Sequence, residues 1–199
     1  KYRNTDQWDP YTMLFWDEAP HMIYLTEKYL GELDVVSADL TLSKNPDFPY
    51  ESVNATVNGV NGGRGRITMM YETSISEWWM VIICEGGIVF VDIFRDLLVY
   101  FDREENHSAT RVLKTLGRAV RMMSTGAIVS GFRYLSDRLL NGYKIPDSGF
   151  SEQVNGFIDS VLKGNAPPVS GADGLRTVKT MDKIAQKSGM YNHSQSNEI

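Results

Sequence analysis

Asp17 and His21, a carboxylate and an imidazole, stand four residues apart where the apolar pattern turns helical. Pro20 suits a first helical position, because its missing N–H would be unpaired there anyway. The spacing therefore predicts a helix over Pro20–Leu30, with Ile23, Tyr24, Glu27 and Leu30 at helical intervals and Gly31 as the C-terminal cap. In that frame His21 lies in the first turn, where the positive end of the helix dipole favours a neutral imidazole. A neutral imidazole at pH 7 is what a general base requires. Asp17, just ahead of the helix, would orient the ring or hold a substrate hydroxyl. The same spacing fits a plainer arrangement in which Asp17 caps the helix and His21 packs.

Other clusters carry less. Tyr24-x-x-x-Lys28 has the spacing of the tyrosine–lysine pair of short-chain dehydrogenases, but no glycine-rich strand–helix unit precedes it, so Lys28 reads as a solvated helix charge. The glycine cluster Gly59–Gly65 lacks the third glycine of a dinucleotide fingerprint, and a strand follows it where a helix is needed; it reads as a hairpin turn. Cys84 sits inside an apolar run and reads as inert core. Arg111, Lys114, Arg118 and Arg121 form a basic stripe that reads as a solvated face. Three sequons, at Asn54, Asn106 and Asn192, have no secretory signal to support them.

These residues need elements to hold them. Lys1–Asp17 is aromatic and reads as irregular. A strand-rich stretch follows the first helix. Val36, Ala38, Leu40 and Leu42 alternate with polar residues, as do Val53, Ala55 and Val57, then Ile67, Met69 and Tyr71. Apolar runs over Trp78–Cys84 and Ile88–Phe94 flank a Glu85-Gly86-Gly87 turn, and Leu97–Phe101 closes the series. Turns this short join antiparallel neighbours. The expectation is one antiparallel or mixed sheet. From Ala109 the period becomes helical: one helix through Val112, Leu116, Val120 and Met123, a second through Phe132, Leu135 and Leu139, and a third over Ser151–Leu162. Ser170 to Asp173 has capping-box spacing before a last helix, with Leu175, Val178, Met181 and Ile184 inward. Strands followed by packed helices, without βαβ alternation, is an α+β pattern.

Composition bounds the class. The 199 residues carry 20 basic and 25 acidic side chains, a formal charge of −5, and no cationic cluster of the kind that neutralises phosphates, so no nucleic-acid partner is expected. One cysteine excludes an intrachain disulfide framework and a multi-cysteine zinc site, and three scattered histidines make no metal site. No apolar run reaches the roughly 18 residues of a membrane span, and no membrane partner is expected. The expected setting is cytoplasmic. The opening on Lys1 suggests a piece of a longer protein.

Three stretches resemble a known family. Trp8-Asp9-Pro10, followed by Asp17-x-Ala-x-His21 and a helix ending Tyr29-Leu30-Gly31-Glu32, resembles the start of the C-terminal domain of the Gfo/Idh/MocA oxidoreductases, whose middle is usually D-x-G-x-H. Val81 to Asp92 is similar to the family's strand, glycine-containing turn and strand. Phe157-Ile158-Asp159-Ser160, Gly164 to Gly171 and Asp173-Gly174-Leu175-Arg176 resemble its closing helix–loop–helix.

The resemblance implies an α+β substrate-binding and oligomerisation domain over residues 1–188, like the C-terminal domain of glyceraldehyde-3-phosphate dehydrogenase, with helices on one face of an open sheet and a frayed tail over 189–199. It also implies a missing Rossmann domain that would hold NAD or NADP. Hydride would pass between the nicotinamide and a sugar, polyol or related hydroxyl compound. His21 would be the acid/base, Asp17 would orient the substrate, and Tyr24, where the family often has an aspartate, would line the substrate space. Alone, the chain would be inactive. A non-catalytic assembly module of the same fold, or a reductase acting on a non-sugar ring system, remains open. An apolar sheet face around Trp78, Trp79, Ile88 and Phe90 would call for a homo-oligomer.

Overall fold

The computed structural model describes residues 10–45, 48–103, 108–141 and 150–191. Their elements run α1 (Pro10–Leu30), β1 (Leu33–Leu42), β2 (Tyr50–Gly59), β3 (Arg64–Met70), β4 (Trp79–Cys84), β5 (Gly87–Asp92), β6 (Leu97–Asp102), α2 (Ala109–Asn141), α3 (Phe150–Lys163) and α4 (Gly171–Lys187). All strand pairings are antiparallel, and the fold is α+β as read from the sequence. Instead of one sheet there are two, ordered β1-β2-β3 and β4-β5-β6. The chain divides into two compact units, Lys1–Ser74 with Gly156–Ile199 and Ile75–Asn155.

In the first unit the alternating strands do what alternation requires: Val53, Ala55, Val57, Ile67 and Met69 point into a core closed by α1 and α4. In β1 the phase differs from the simple alternation. Leu33 and Val35 are buried, Val36 is exposed, and the inward set resumes at Ala38 and Leu40. The register slips between Val35 and Ser37, so Val35 faces Val57 while Ser37 faces Thr56, leaving Val36 as the extra residue of a bulge. Without that bulge, Ser37 and Asp39 would take the inward places of Ala38 and Leu40. The Val36 carbonyl instead accepts a hydrogen bond from Lys187 at the end of α4.

The glycine cluster is a hairpin turn, and its glycines also make room for a side chain. Hypothetical Cβ atoms on Gly59, Gly63 and Gly65 would stand 2.3, 2.5 and 3.2 Å from atoms of Leu30. The last residue of α1 thus lies against the bare backbone of the β2–β3 turn. Gly31 takes a φ of 75°, and its N–H donates to Glu27 O, as a glycine helix cap does. Asn61 N–H, from the turn, donates to Leu30 O.

In the second unit, two tight hairpins build the β4-β5-β6 sheet, and α2 packs along β6. Val99 and Ala119 are its buried apolar side chains among the described residues. Gly126 lets the helix approach Leu97, since a Cβ there would stand 2.7 Å from Leu97 Cδ2. Where the sequence suggests two helices between Ala109 and Leu139, α2 is a single helix of 33 residues. It contains no proline, so the shift in apolar phase after Ala127 turns the apolar stripe around the helix without breaking it.

The last helix opens with the expected capping box. Ser170 Oγ accepts from Asp173 N–H, and Asp173 accepts in return from Ser170 N–H. Its inward face differs from the expected one: Leu175 and Val178 are exposed, while Thr177 and Thr180 are buried beside Met181, Ile184 and Ala185. The tail expected to fray from Gly189 is packed as far as Tyr191, with Met190 in the core and the Tyr191 hydroxyl donating to Asp182. The sequons at Asn106 and Asn192, and the Trp8-Asp9 start of the first family-like stretch, lie outside the described residues.

Candidate functional site

Helix α1 does not begin at Pro20. It begins at Pro10, which takes the first helical position, and Pro20 lies in its interior. An interior proline removes the hydrogen bond from residue 20 to the Trp16 carbonyl and costs helix stability. Burial offsets that cost, because Phe15, Ala19 and Ile23 are all 0% exposed. Two expectations are corrected by this. His21 is the twelfth residue of the helix, beyond the first turn where the dipole acts. Asp17 is a helical residue and not a cap.

Because the helix already runs through residue 17, the pair shares one face of it, which a helix starting at Pro20 would not give. Asp17, His21, Tyr24 and Lys28 follow at intervals of four, three and four residues, so they line one stripe of α1. Phe15, Ala19, Ile23 and Glu27 occupy the buried side. Asp17, His21 and Lys28 are exposed and Tyr24 is half-buried, so the stripe faces away from the core of its unit. Neighbours at i and i+4 on a helix stand about 5–6 Å apart at Cβ, close enough for a carboxylate to orient an imidazole. Lys28 Nζ lies 4.9 Å from the centre of the Tyr24 ring. The Tyr24 hydroxyl beside it holds the Lys28 ammonium above its ordinary pKa. A carboxylate, an imidazole, a phenol and an ammonium along one helix can bind a polyhydroxylated molecule and exchange a proton with it.

What fixes this helix has no motif in the sequence. Glu27 is 3% exposed, and its carboxylate accepts from Thr177 Oγ1 at 2.8 Å and Thr180 Oγ1 at 2.9 Å, both on α4. Arg176 Nε completes the cluster 3.4 Å from Glu27 Oε2. A buried carboxylate needs hydrogen bonds and a countercharge, and it has both. Arg176 also pairs with Asp173, whose carboxyl is held well below the usual carboxylate range by the Ser170 hydroxyl, the Ser170 N–H and the guanidinium. The available signal was position: Glu27 continues the four-residue rhythm of Phe15, Ala19 and Ile23, where an acidic residue is out of place. At the other end of α1, Phe15 N–H donates to the buried Tyr50 hydroxyl at 2.7 Å.

The remaining candidates fall elsewhere. Cys84 is exposed and not core, since it ends β4, and its thiol donates to Gly87 O. It lines an open cleft of about 440 Å³ with Ile83, Ile88, Phe101 and Arg103, which includes none of Asp17, His21 or Tyr24. The basic stripe of α2 is exposed, with Arg118 paired to Asp102. Gly59–Gly65 is followed by β3 and seats Leu30, so it is no cradle for a dinucleotide. Among the described residues no group of three His, Cys, Asp or Glu side chains could hold a metal ion, and no helix is long and apolar enough to cross a membrane.

No family model matches the chain, and no curated protein matches it. Solved structures do. One is UDP-N-acetylglucosamine 3-dehydrogenase GnnA from Acidithiobacillus ferrooxidans, with a TM-score of 0.61 and 12% identity over 96% of this chain and 50% of that one. A second crystal form of the same enzyme gives 0.60 and 11%, over 91% of this chain and 50% of that one. WlbA dehydrogenase from Bordetella pertussis, solved in complex with NADH and UDP-GlcNAcA, gives 0.50 and 16%, over 86% of this chain and 44% of that one. The chain spans about half the length of the solved structures it matches. At these identities the likeness is one of fold.

Proposed function

We propose that this chain is the substrate-binding half of a nicotinamide-dependent oxidoreductase acting on a hydroxyl of a sugar, polyol or related compound. The observation that carries the reading is the coincidence of two things: the fold of half a sugar-nucleotide dehydrogenase, and an Asp17–His21–Tyr24 stripe facing away from the core of its unit. The described residues form no dinucleotide cradle, so NAD or NADP would be held by another part of the polypeptide. The steps assigned to this chain concern substrate and proton only.

His21 accepts the proton of the reacting hydroxyl during oxidation and returns it in the reverse direction. Asp17, one turn before it, orients the ring and holds a neighbouring hydroxyl. Tyr24, one turn after it, bounds the substrate and offers a phenol as donor or acceptor. The proposed assembly is a homo-oligomer through the β4-β5-β6 sheet, where Trp79 and Ile83 are 60% and 78% exposed. The proposed setting is the cytoplasm, where a thiol such as that of Cys84 stays reduced.

The test is turnover by the native full-length protein, followed as nicotinamide absorbance, with UDP-N-acetylglucosamine as the first substrate and simple sugars and polyols after it. His21→Ala lowers kcat by about 10²- to 10⁴-fold, the usual worth of a general base. An unchanged rate would remove His21 from the chemistry, and with it this reading of the site.

A further inference from the structure

The polar stripe of α1 has a direction. Asp17, with Glu18 beside it, sets negative charge at its start, and Lys28 sets a positive charge three turns later. From His21 to Lys28 the helix rises about 10 Å. The Lys28 side chain does not trail past the helix end: its Nζ lies 4.9 Å from the centre of the Tyr24 ring, one turn back toward His21. Imidazole and ammonium therefore bracket Tyr24 on one exposed face, at a separation that a single hexose and the group on its anomeric carbon can span.

The charges around Lys28 leave it available to a ligand. Arg176, the cation that α4 brings to this end of the stripe, is engaged by Glu27 and Asp173. Among the described residues no carboxylate forms an ion pair with Lys28; its neighbour is the Tyr24 phenol. An ammonium carries three donors, and one phenol oxygen occupies at most one of them. We propose that Lys28 binds a phosphoryl group of the substrate, so that the site takes a sugar phosphoester, either a sugar phosphate or a nucleoside diphosphate sugar, in preference to a neutral sugar. The proposal rests on the reading of the Asp17–His21–Tyr24 stripe as the substrate site and extends it by one turn. A phosphoryl group presents several oxygens to a compact point charge. The same group is repelled by Asp17 and Glu18 at the far end of the stripe. The two effects favour one orientation, with the anion at Lys28 and a ring hydroxyl at His21. A neutral sugar receives no such direction.

Calorimetric titration of the native full-length protein with N-acetylglucosamine, N-acetylglucosamine 1-phosphate and UDP-N-acetylglucosamine tests it. The phosphorylated ligands bind more tightly than the neutral sugar. Lys28→Ala weakens them about 10- to 100-fold, the usual worth of a charge-assisted hydrogen bond, and leaves the neutral sugar unchanged. Lys28→Arg, which keeps the charge, recovers most of the affinity, and Lys179→Ala, at an exposed cation of α4, changes nothing. Tight binding of the 1-phosphate assigns the contact to the phosphoryl group next to the sugar; tight binding of the UDP-sugar alone assigns it to the diphosphate. If neither phosphorylated ligand binds better than N-acetylglucosamine, or if Lys28→Ala weakens all three ligands equally or none of them, the proposal is overturned. Turnover is read separately. Lys28-dependent binding without any nicotinamide reduction would keep the phosphoryl site and overturn the oxidoreductase reading. Turnover whose KM is untouched by Lys28→Ala would do the reverse.

Discussion

The chain's two sheets handle apolar side chains in opposite ways. In β1-β2-β3, Val53 and Val57 are 0% exposed, and Asn54 and Thr56 between them point outward. In β4-β5-β6, Val81, Ile82 and Ile83 follow one another without a polar break, and Ile83 is 78% exposed. Alternation describes a sheet whose one wet face is meant to stay wet. A continuous apolar run describes a strand with two faces to cover, and the described residues of its unit do not cover both. One unit therefore buries its apolar strand residues within itself, while the other leaves a row of them exposed.

The contrast can be broken at its strongest point by matched truncations. Ile184→Ala, at a residue with no exposure, costs about 2–5 kcal/mol in a denaturant titration. Ile83→Ala, removing the same atoms, costs less than about 0.5 kcal/mol at concentrations where the protein is dissociated. Any loss it does cause grows with protein concentration, as an interface contribution must. Equal, concentration-independent losses would end the comparison.

A smaller effect sharpens the account of how the first unit holds α1. Glu27→Ala leaves Thr177 and Thr180 without their shared acceptor and Arg176 without its buried countercharge, and costs about 1–3 kcal/mol. Glu27→Gln, which keeps an acceptor oxygen, loses less. A Glu27→Ala protein as stable as the wild type would show that packing alone holds the helix pair together.

The smallest effect is a matter of pH. The carboxyl of Asp173 titrates below its ordinary value in the folded state, so its contribution is complete above about pH 4, the ordinary aspartate value, and is lost as pH falls toward the folded value. Asp173→Asn therefore flattens the acid limb of the stability curve and leaves the neutral region nearly parallel to that of the wild type. An unchanged acid limb would mean that the capping pair contributes nothing to the pH dependence.

Much of this was legible in the sequence because it depends on local period. The strands, the antiparallel connections, the capping box at Ser170 and the hairpin at Gly59–Gly65 follow from alternation and turn residues. The start of α1 was not legible, because Pro20 satisfies the rule for a first helical position as well as Pro10 does; only the burial of Phe15 and Ala19 decides between them. The inward face of α4 was not legible either, because Thr177 and Thr180 are buried for their hydroxyls, which reach an acid 150 and 153 residues away in the chain. The Asp17–His21 pair stands out by spacing and a family resemblance. Its extension through Tyr24 to Lys28 needed only that the helix be continuous.

The bulge at Val36 has a consequence for the length of the chain. From Val35 to Ala38 the sequence takes three steps where a regular strand would take two, and the bulge absorbs the extra one. A chain lacking residue 36 would set Ser37 directly after Val35, opposite Thr56, in an unbroken ladder with Leu33, Val35, Ala38 and Leu40 still facing inward. At Asp39, the loss of one residue would turn the rest of the strand inside out. Within β1, Val36 marks a place where the polypeptide can be shortened by one residue while every core side chain keeps its place.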